Sequence, residues 1–155
     1  MLKKKIIIFL LLFLSSCGYE AIHSKKNINY YEFSISKLSF NGDRDVNLKI
    51  KEILNNYTLD KKDKDFILKI SSTAEKKILA KDTSADATNF QRIIVINIEV
   101  LKVKDNRFTD NFTISEKFTY NNDGNKFDLT VYEKEITRNL TETAIDKLIF
   151  KLSNI

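Results

Sequence analysis

The sequence predicts an α+β domain of order β-α-β-β-β-α, a mainly antiparallel sheet with two helices packed on one face. Three observations predict it. Two stretches space their apolar residues as a helix does, longer stretches alternate with period two, and short polar turns separate them. Helices gathered on one side of a sheet of long strands bury both sets of apolar side chains at once.

The first strand is expected within Tyr30 to Phe40, which is rich in β-formers. Its apolar pairs, Phe33/Ile35 and Leu38/Phe40, differ in parity, which points to a bulge or a short strand. Asn41-Gly42-Asp43 breaks the strand and supplies helix caps. Val46, Ile50, Ile53, Leu54 and Tyr57 then form one helical stripe. Asp43 and Asp45 stand at its start, where the helix dipole favours negative charge.

Asp60 to Asp65 reads as a charged loop. Phe66, Leu68, Ile70, Ser72 and Ala74 alternate along a half-buried strand that extends toward Lys81. Asp82 to Asn89 is a polar turn region. Phe90 to Lys104 contains Ile93-Ile94-Val95-Ile96, apolar on both faces, as a central strand is. Asp105-Asn106 closes a hairpin. Phe112, Ile114, Phe118 and Tyr120 share a parity opposed by Thr113, Ser115, Lys117 and Thr119. Asn121 to Asn125 is a turn. Thr130-Val131-Tyr132-Glu133 has capping-box spacing and predicts the start of the last helix. Behind it Ile136, Leu140, Ala144, Leu148 and Leu152 step by four, joined by Tyr132, Ile145 and Ile149.

The 155 residues are 43% hydrophobic and 30% charged, enough apolar matter for one core and too balanced in charge for a disordered chain. There is no proline and there are three glycines, so no flexible linker is written into the chain. Net charge is +5, but without Lys3, Lys4 and Lys5 the excess of basic over acidic residues falls to two. A domain so near neutrality gives little reason to expect nucleic acid as a partner.

The first residues read as an address. Lys3-Lys4-Lys5 precedes a nine-residue apolar run, Ile6 to Leu14. As a helix it would rise about 14 Å, roughly half the bilayer core, which suits a signal peptide rather than a permanent span. The following Leu14-Ser15-Ser16-Cys17 resembles the lipobox of bacterial lipoproteins. That resemblance implies cleavage before Cys17, a diacylglycerol on its thiol and an acyl chain on its amine. Residues 1–16 are then a signal peptide, 17–32 a lipidated tether and 33–155 the domain. The plain alternative is a secretory signal with an incidental cysteine, but the only cysteine of the chain stands at the end of the apolar run. Two or three acyl chains anchor stably where one does so marginally. Gly18 in place of aspartate favours the outer membrane over the inner.

Little catalytic chemistry is on offer. The one histidine, His23, falls in the tether, and the one cysteine is taken by lipid. No His/Cys metal cluster and no histidine-based triad can be built inside the domain. No cofactor is expected beyond the lipid on Cys17. Acidic pairs such as Asp43/Asp45 or Asp82/Asp86 read more simply as caps and solvated turns than as acid–base machinery. The domain is expected not to be an enzyme.

A lipobox running into Cys17-Gly18-Tyr19, followed by β-α-β-β-β-α, resembles the LptE family of lipopolysaccharide-assembly lipoproteins. Ser84 to Arg92 is similar to that family's turn before its central strand. Phe118-Thr119-Tyr120-Asn121, followed by Tyr132, Glu133 and the last helix, looks like the alphaproteobacterial form. Glu20-Ala21-Ile22 departs from the family's Pro-Leu-Tyr near the anchor. The resemblance implies a protein anchored in the outer membrane and facing the periplasm, which helps assemble and plugs an LptD-type β-barrel for lipopolysaccharide transport. Lys76, Lys77, Lys81 and Arg92, which flank the second hairpin, would then be candidates to contact lipid A phosphates. Arg92 leads because arginine binds phosphate bidentately. The plainer reading of the lysines is solubilising charge. A different role with the same anchor is that of an accessory lipoprotein in another envelope machine, such as a lipid-trafficking ABC transporter.

Overall fold

The structure is a computed structural model and describes residues 32–104, 107–122 and 125–155. These fall within one compact unit, Tyr31–Ile155. The expected signal peptide, Cys17, His23 and nearly all of the tether lie outside the described residues.

The order is β1 (Phe33–Gly42), α1 (Arg44–Leu54) with a short 3₁₀ turn (Asn55–Tyr57), β2 (Lys64–Lys81), β3 (Ala87–Lys102), β4 (Arg107–Asn121) and α2 (Lys126–Ser153). The sheet runs β1-β2-β3-β4. β2, β3 and β4 are antiparallel neighbours, and β1 joins β2 in parallel after the α1 crossover. The expected α+β order and the mainly antiparallel sheet are therefore what the chain forms.

The parity conflict in β1 is resolved by a bulge. The register with β2 skips Ser36 between Ile35 and Lys37. Phe33 and Ile35 are thereby buried, and Leu38 and Phe40 pack against the same core. Gly42 ends the strand with φ of +95°, and a Cβ there would fall 1.9 Å from the Ser72 carbonyl oxygen. Only glycine allows both that backbone angle and that approach. Asp43 then caps α1, its carboxylate accepting the Val46 N–H at 3.0 Å.

Several boundaries differ from the sequence reading: β1 runs through Asn41 and Gly42, and β3 ends at Lys102 rather than Lys104. Lys64 and Asp65 belong to β2 rather than to a charged loop. Asp65 is 5% exposed, its carboxylate accepting the hydroxyls of Ser34, at 3.0 Å, and of Ser36. An acid can sit in a strand when partners satisfy it. β3 begins at Ala87, inside the expected turn. α2 begins at Lys126, four residues before the capping-box reading, because Asn125 is the cap and accepts the Phe127 N–H at 3.0 Å. Thr130 instead donates to the Lys126 carbonyl at 2.8 Å. The expected Asp105-Asn106 hairpin tip lies outside the described residues.

Both helices lie on one face of the sheet. The main core joins Phe66, Leu68, Ile96 and Ile98 of the central strands to Ile50 and Leu54 of α1 and to Ile145, Leu148 and Leu152 of α2. A smaller cluster, Phe90, Tyr120, Leu129 and Ile136, seats the start of α2 on the far end of β3 and β4. Burial at this scale, about 25 cal/mol per Å² of apolar surface, is what offsets the entropy of ordering the chain.

Candidate functional site

Strand alternation decides where the four candidate cations go. Lys76 of β2 and Arg92 of β3 are direct cross-strand partners and share the helix-covered face. Lys77 has the opposite parity and is exposed, 4.0 Å from the Glu75 carboxylate. Lys81 sits at the hairpin tip, paired in register with Ala87. The structure thus brings Lys76 and Arg92 together and leaves Lys77 and Lys81 apart from them.

Sequence reading did not connect these two cations to α2. Glu133 receives Lys76 Nζ at 2.5 Å and the Tyr120 hydroxyl at 2.8 Å. The Lys76 ammonium also lies 3.8 Å from the centre of the Phe90 ring. Burial disfavours the charge on Glu133, but the hydrogen bonds from Lys76 and Tyr120 outweigh it and hold the carboxyl below its ordinary range. Burial, with the neighbouring Glu133 charge, pushes the Tyr120 phenol well above its ordinary value. Lys76 is therefore engaged, whereas Arg92 has capacity to spare.

Arg92 donates its Nε–H to Thr137 Oγ1 at 3.0 Å, and Thr137 in turn donates to the Glu133 carbonyl at 2.7 Å. No other side-chain hydrogen bond of Arg92 is present among the described residues. The guanidinium lines a cleft of about 440 Å³ between α1 and α2, with Lys134 and Arg138 on one wall and Asp45 and Glu52 on the other. Lys49, also in this cleft, is paired with Glu142 at 2.8 Å. That contact comes first in holding the Glu142 carboxyl below its ordinary value, and Arg138 adds to it. The cleft is mixed in charge, with Arg92, Lys134 and Arg138 as its cations beside the paired Lys49.

The acidic pairs take structural positions. Asp43 caps α1, and Asp82 accepts the N–H groups of Ser84 and Asp86 at 2.9 Å each in the turn between β2 and β3. Among the described residues no three His, Cys, Asp or Glu side chains are arranged to hold a metal ion. None of the described helices is long and apolar enough to cross a membrane.

A two-helix layer on a four-stranded sheet of this order is a fold shared with bacterial lipoproteins of known structure. The chain is similar to rare lipoprotein B from Shewanella oneidensis, with a TM-score of 0.55 and 13% identity over 76% of this chain and 97% of that one. It is similar to a minor lipoprotein from Acinetobacter baumannii, TM-score 0.53 and 15% identity over 77% and 91%. It is also similar to lipoprotein B from Nitrosomonas europaea, TM-score 0.53 and 12% identity over 88% and 91%. No protein-family model and no curated protein matches the sequence.

Proposed function

We propose that this chain is a lipid-anchored, non-catalytic protein of the bacterial envelope, held in the outer membrane through Cys17, that helps assemble and plugs an LptD-type β-barrel. The observation that carries the reading is the coincidence of two independent signals. The sequence ends its apolar leader in Leu14-Ser15-Ser16-Cys17, and the domain behind it shares its fold with bacterial lipoproteins across most of the chain. A small, disulfide-free domain with long strands and few loops suits a plug that must keep its shape inside a partner.

Arg92 supports a role for lipopolysaccharide in the same reading. Its terminal amino groups make no hydrogen bond to the described residues, in a cleft where a phosphate could reach them. Lys76 would hold Arg92's neighbourhood in shape through Glu133 rather than bind the lipid itself. Lys77 and Lys81 would contribute only general positive charge.

Purification of the lipidated chain in mild detergent tests the central claim. An outer-membrane barrel should accompany it in stoichiometric amount. Recovery of the chain alone, or with an inner-membrane transporter instead, would overturn it. Lipopolysaccharide binding by the purified protein should weaken in Arg92→Ala and stay unchanged in Lys77→Ala. Equal effects would reduce Arg92 to ordinary surface.

A further inference from the structure

Among the described residues β4 has one neighbour, β3, so the outer edge of its main chain is unpaired. The two edges of the sheet are not alike. β1 is ten residues long and carries the bulge at Ser36, a device that spoils an edge for pairing. β4 is fifteen residues long, and its register with β3 is unbroken from Asp110 to Asn121. A regular edge of that length is a template for another strand.

A second, independent feature lies beside this edge. α2 crosses the sheet so that Arg138 and Thr141 face the cleft toward α1, while Tyr132, Ile136, Asn139 and Thr143 face the other way. Together with Phe118 of β4 they line a groove of about 360 Å³. Its walls are mainly apolar, yet Phe118 is 45% and Tyr132 44% exposed. Glu135 stands on the rim and has no ion pair among the described residues. A little further along, Asp128 borders the adjoining hollow.

An unpaired edge strand with an apolar groove between it and a helix is the arrangement that takes up an extended peptide. The edge offers main-chain hydrogen bonds, and the groove takes every second side chain. We infer that the β4–α2 groove, built on Phe118, Tyr132 and Ile136 beside the free edge of β4, is a docking site for an extended segment of another protein. That segment is apolar at alternate residues and carries a lysine or arginine. The acidic rim decides the charge, since among the described residues Glu135 makes no ion pair and Asp128 accepts only the Asn125 amide, at 2.6 Å, so an incoming cation would supply the missing partner. This site is on the opposite side of α2 from Arg92, and it stands whether or not the barrel reading does.

Selection of random decapeptides displayed on phage against the full chain tests it. The enriched sequences should show apolar residues with period two and a basic residue beside them. Asn139→Trp, an exposed position whose indole would fill the groove, should keep the wild-type melting temperature and weaken the selected peptide about tenfold. N-methylation of alternate peptide amides should weaken binding comparably, because it removes edge hydrogen bonds that a purely side-chain contact does not need. No enrichment, equal binding to Asn139→Trp, or enriched peptides with helical spacing would each overturn the proposal. So would a dimer of the free chain that Asn139→Trp dissolves, since the occupant would then be a second copy.

Discussion

Asp65 of β2 lies opposite Ser34 of β1 in the parallel register, and its Oδ1 accepts the Ser34 hydroxyl at 3.0 Å. The other oxygen takes the hydroxyl of the bulged Ser36. The Lys62 N–H donates to Ser34 Oγ at 3.0 Å, and the Val103 N–H donates to the Asp65 carbonyl at 2.9 Å. The Asp65 carboxylate thus ties down the bulge, its main-chain carbonyl holds the end of β3, and Ser34 holds the loop before β2. Asp65→Ala should lower stability by roughly 2–3 kcal/mol, because two hydroxyls lose a charged acceptor. Urea unfolding with an unchanged slope and a lower midpoint is the expected record. An unmoved midpoint would show that the bulge holds without it.

The Glu133 carboxyl predicts a direction for the acid response. Its pKa is held low in the folded state and returns to the ordinary value on unfolding, so it adds stability at neutral pH. That contribution is fully present above the ordinary carboxyl value and is lost as pH falls below it through the folded value. Glu142 acts in the same direction. Glu133→Gln should therefore be less stable than the parent at pH 7, with the difference narrowing at low pH. Thermal melts at several pH values check it, and a constant difference would show that the carboxyl charge does not matter.

Leu148 is fully buried in the main core. Leu148→Ala should cost about 2–5 kcal/mol through lost contacts and a cavity. Leu148→Asp should prevent folding, since an unpaired charge would be buried. Leu140 is only half-buried, so Leu140→Asp should be milder than Leu148→Asp. Circular dichroism melts of the three variants give the ranking, and a normal melt for Leu148→Asp would remove α2 from the core.

At Gly42, alanine would meet both an unfavourable backbone angle and the Ser72 carbonyl. Gly42→Ala should destabilise by about 1–3 kcal/mol, the size typical of local strain at such positions. Amide exchange should report the loss first at Asp43, whose N–H donates to that same Ser72 carbonyl at 3.0 Å. Exchange unchanged there would mean that the β1–α1 corner tolerates a side chain.

Cys17→Ala should abolish incorporation of labelled palmitate and leave a domain that still folds. Mass spectrometry of the native chain should find a lipid-modified Cys17 at the amino terminus. An unmodified cysteine in a freely soluble periplasmic form would contradict the anchor.

The strands and helices were largely legible because their signals are local. Alternation in Phe66 to Ala74 and the four-residue steps from Ile136 to Leu152 need no knowledge of partners. In β1 the parity conflict between Phe33/Ile35 and Leu38/Phe40 allowed a bulge or a short strand, and the register with β2 decided for the bulge. The start of α2 was misplaced because Thr130 and Glu133 have the spacing of a capping box, while Asn125 caps the helix one turn earlier. Asp65 looked like loop because an acid beside Asp63 and Lys64 gives no hint of the two serines waiting in β1. Alternation from Phe66 to Ala74 puts Lys76 on the apolar face and Lys77 on the other, but it does not say which residues of α2 Lys76 and Arg92 meet.

By itself, then, the sequence determined the order of elements and their faces, both of which follow from residue patterns within a few turns or strands. Tertiary structure alone decided which charges meet. Lys76 and Glu133 are 57 residues apart, and Arg92 and Thr137 are 45 apart. Their pairing depends on how α2 lies across β3 and β4, and the same placement left one side of α2 open beside a free strand edge. Packing of the whole core sets that placement, and no local pattern encodes it.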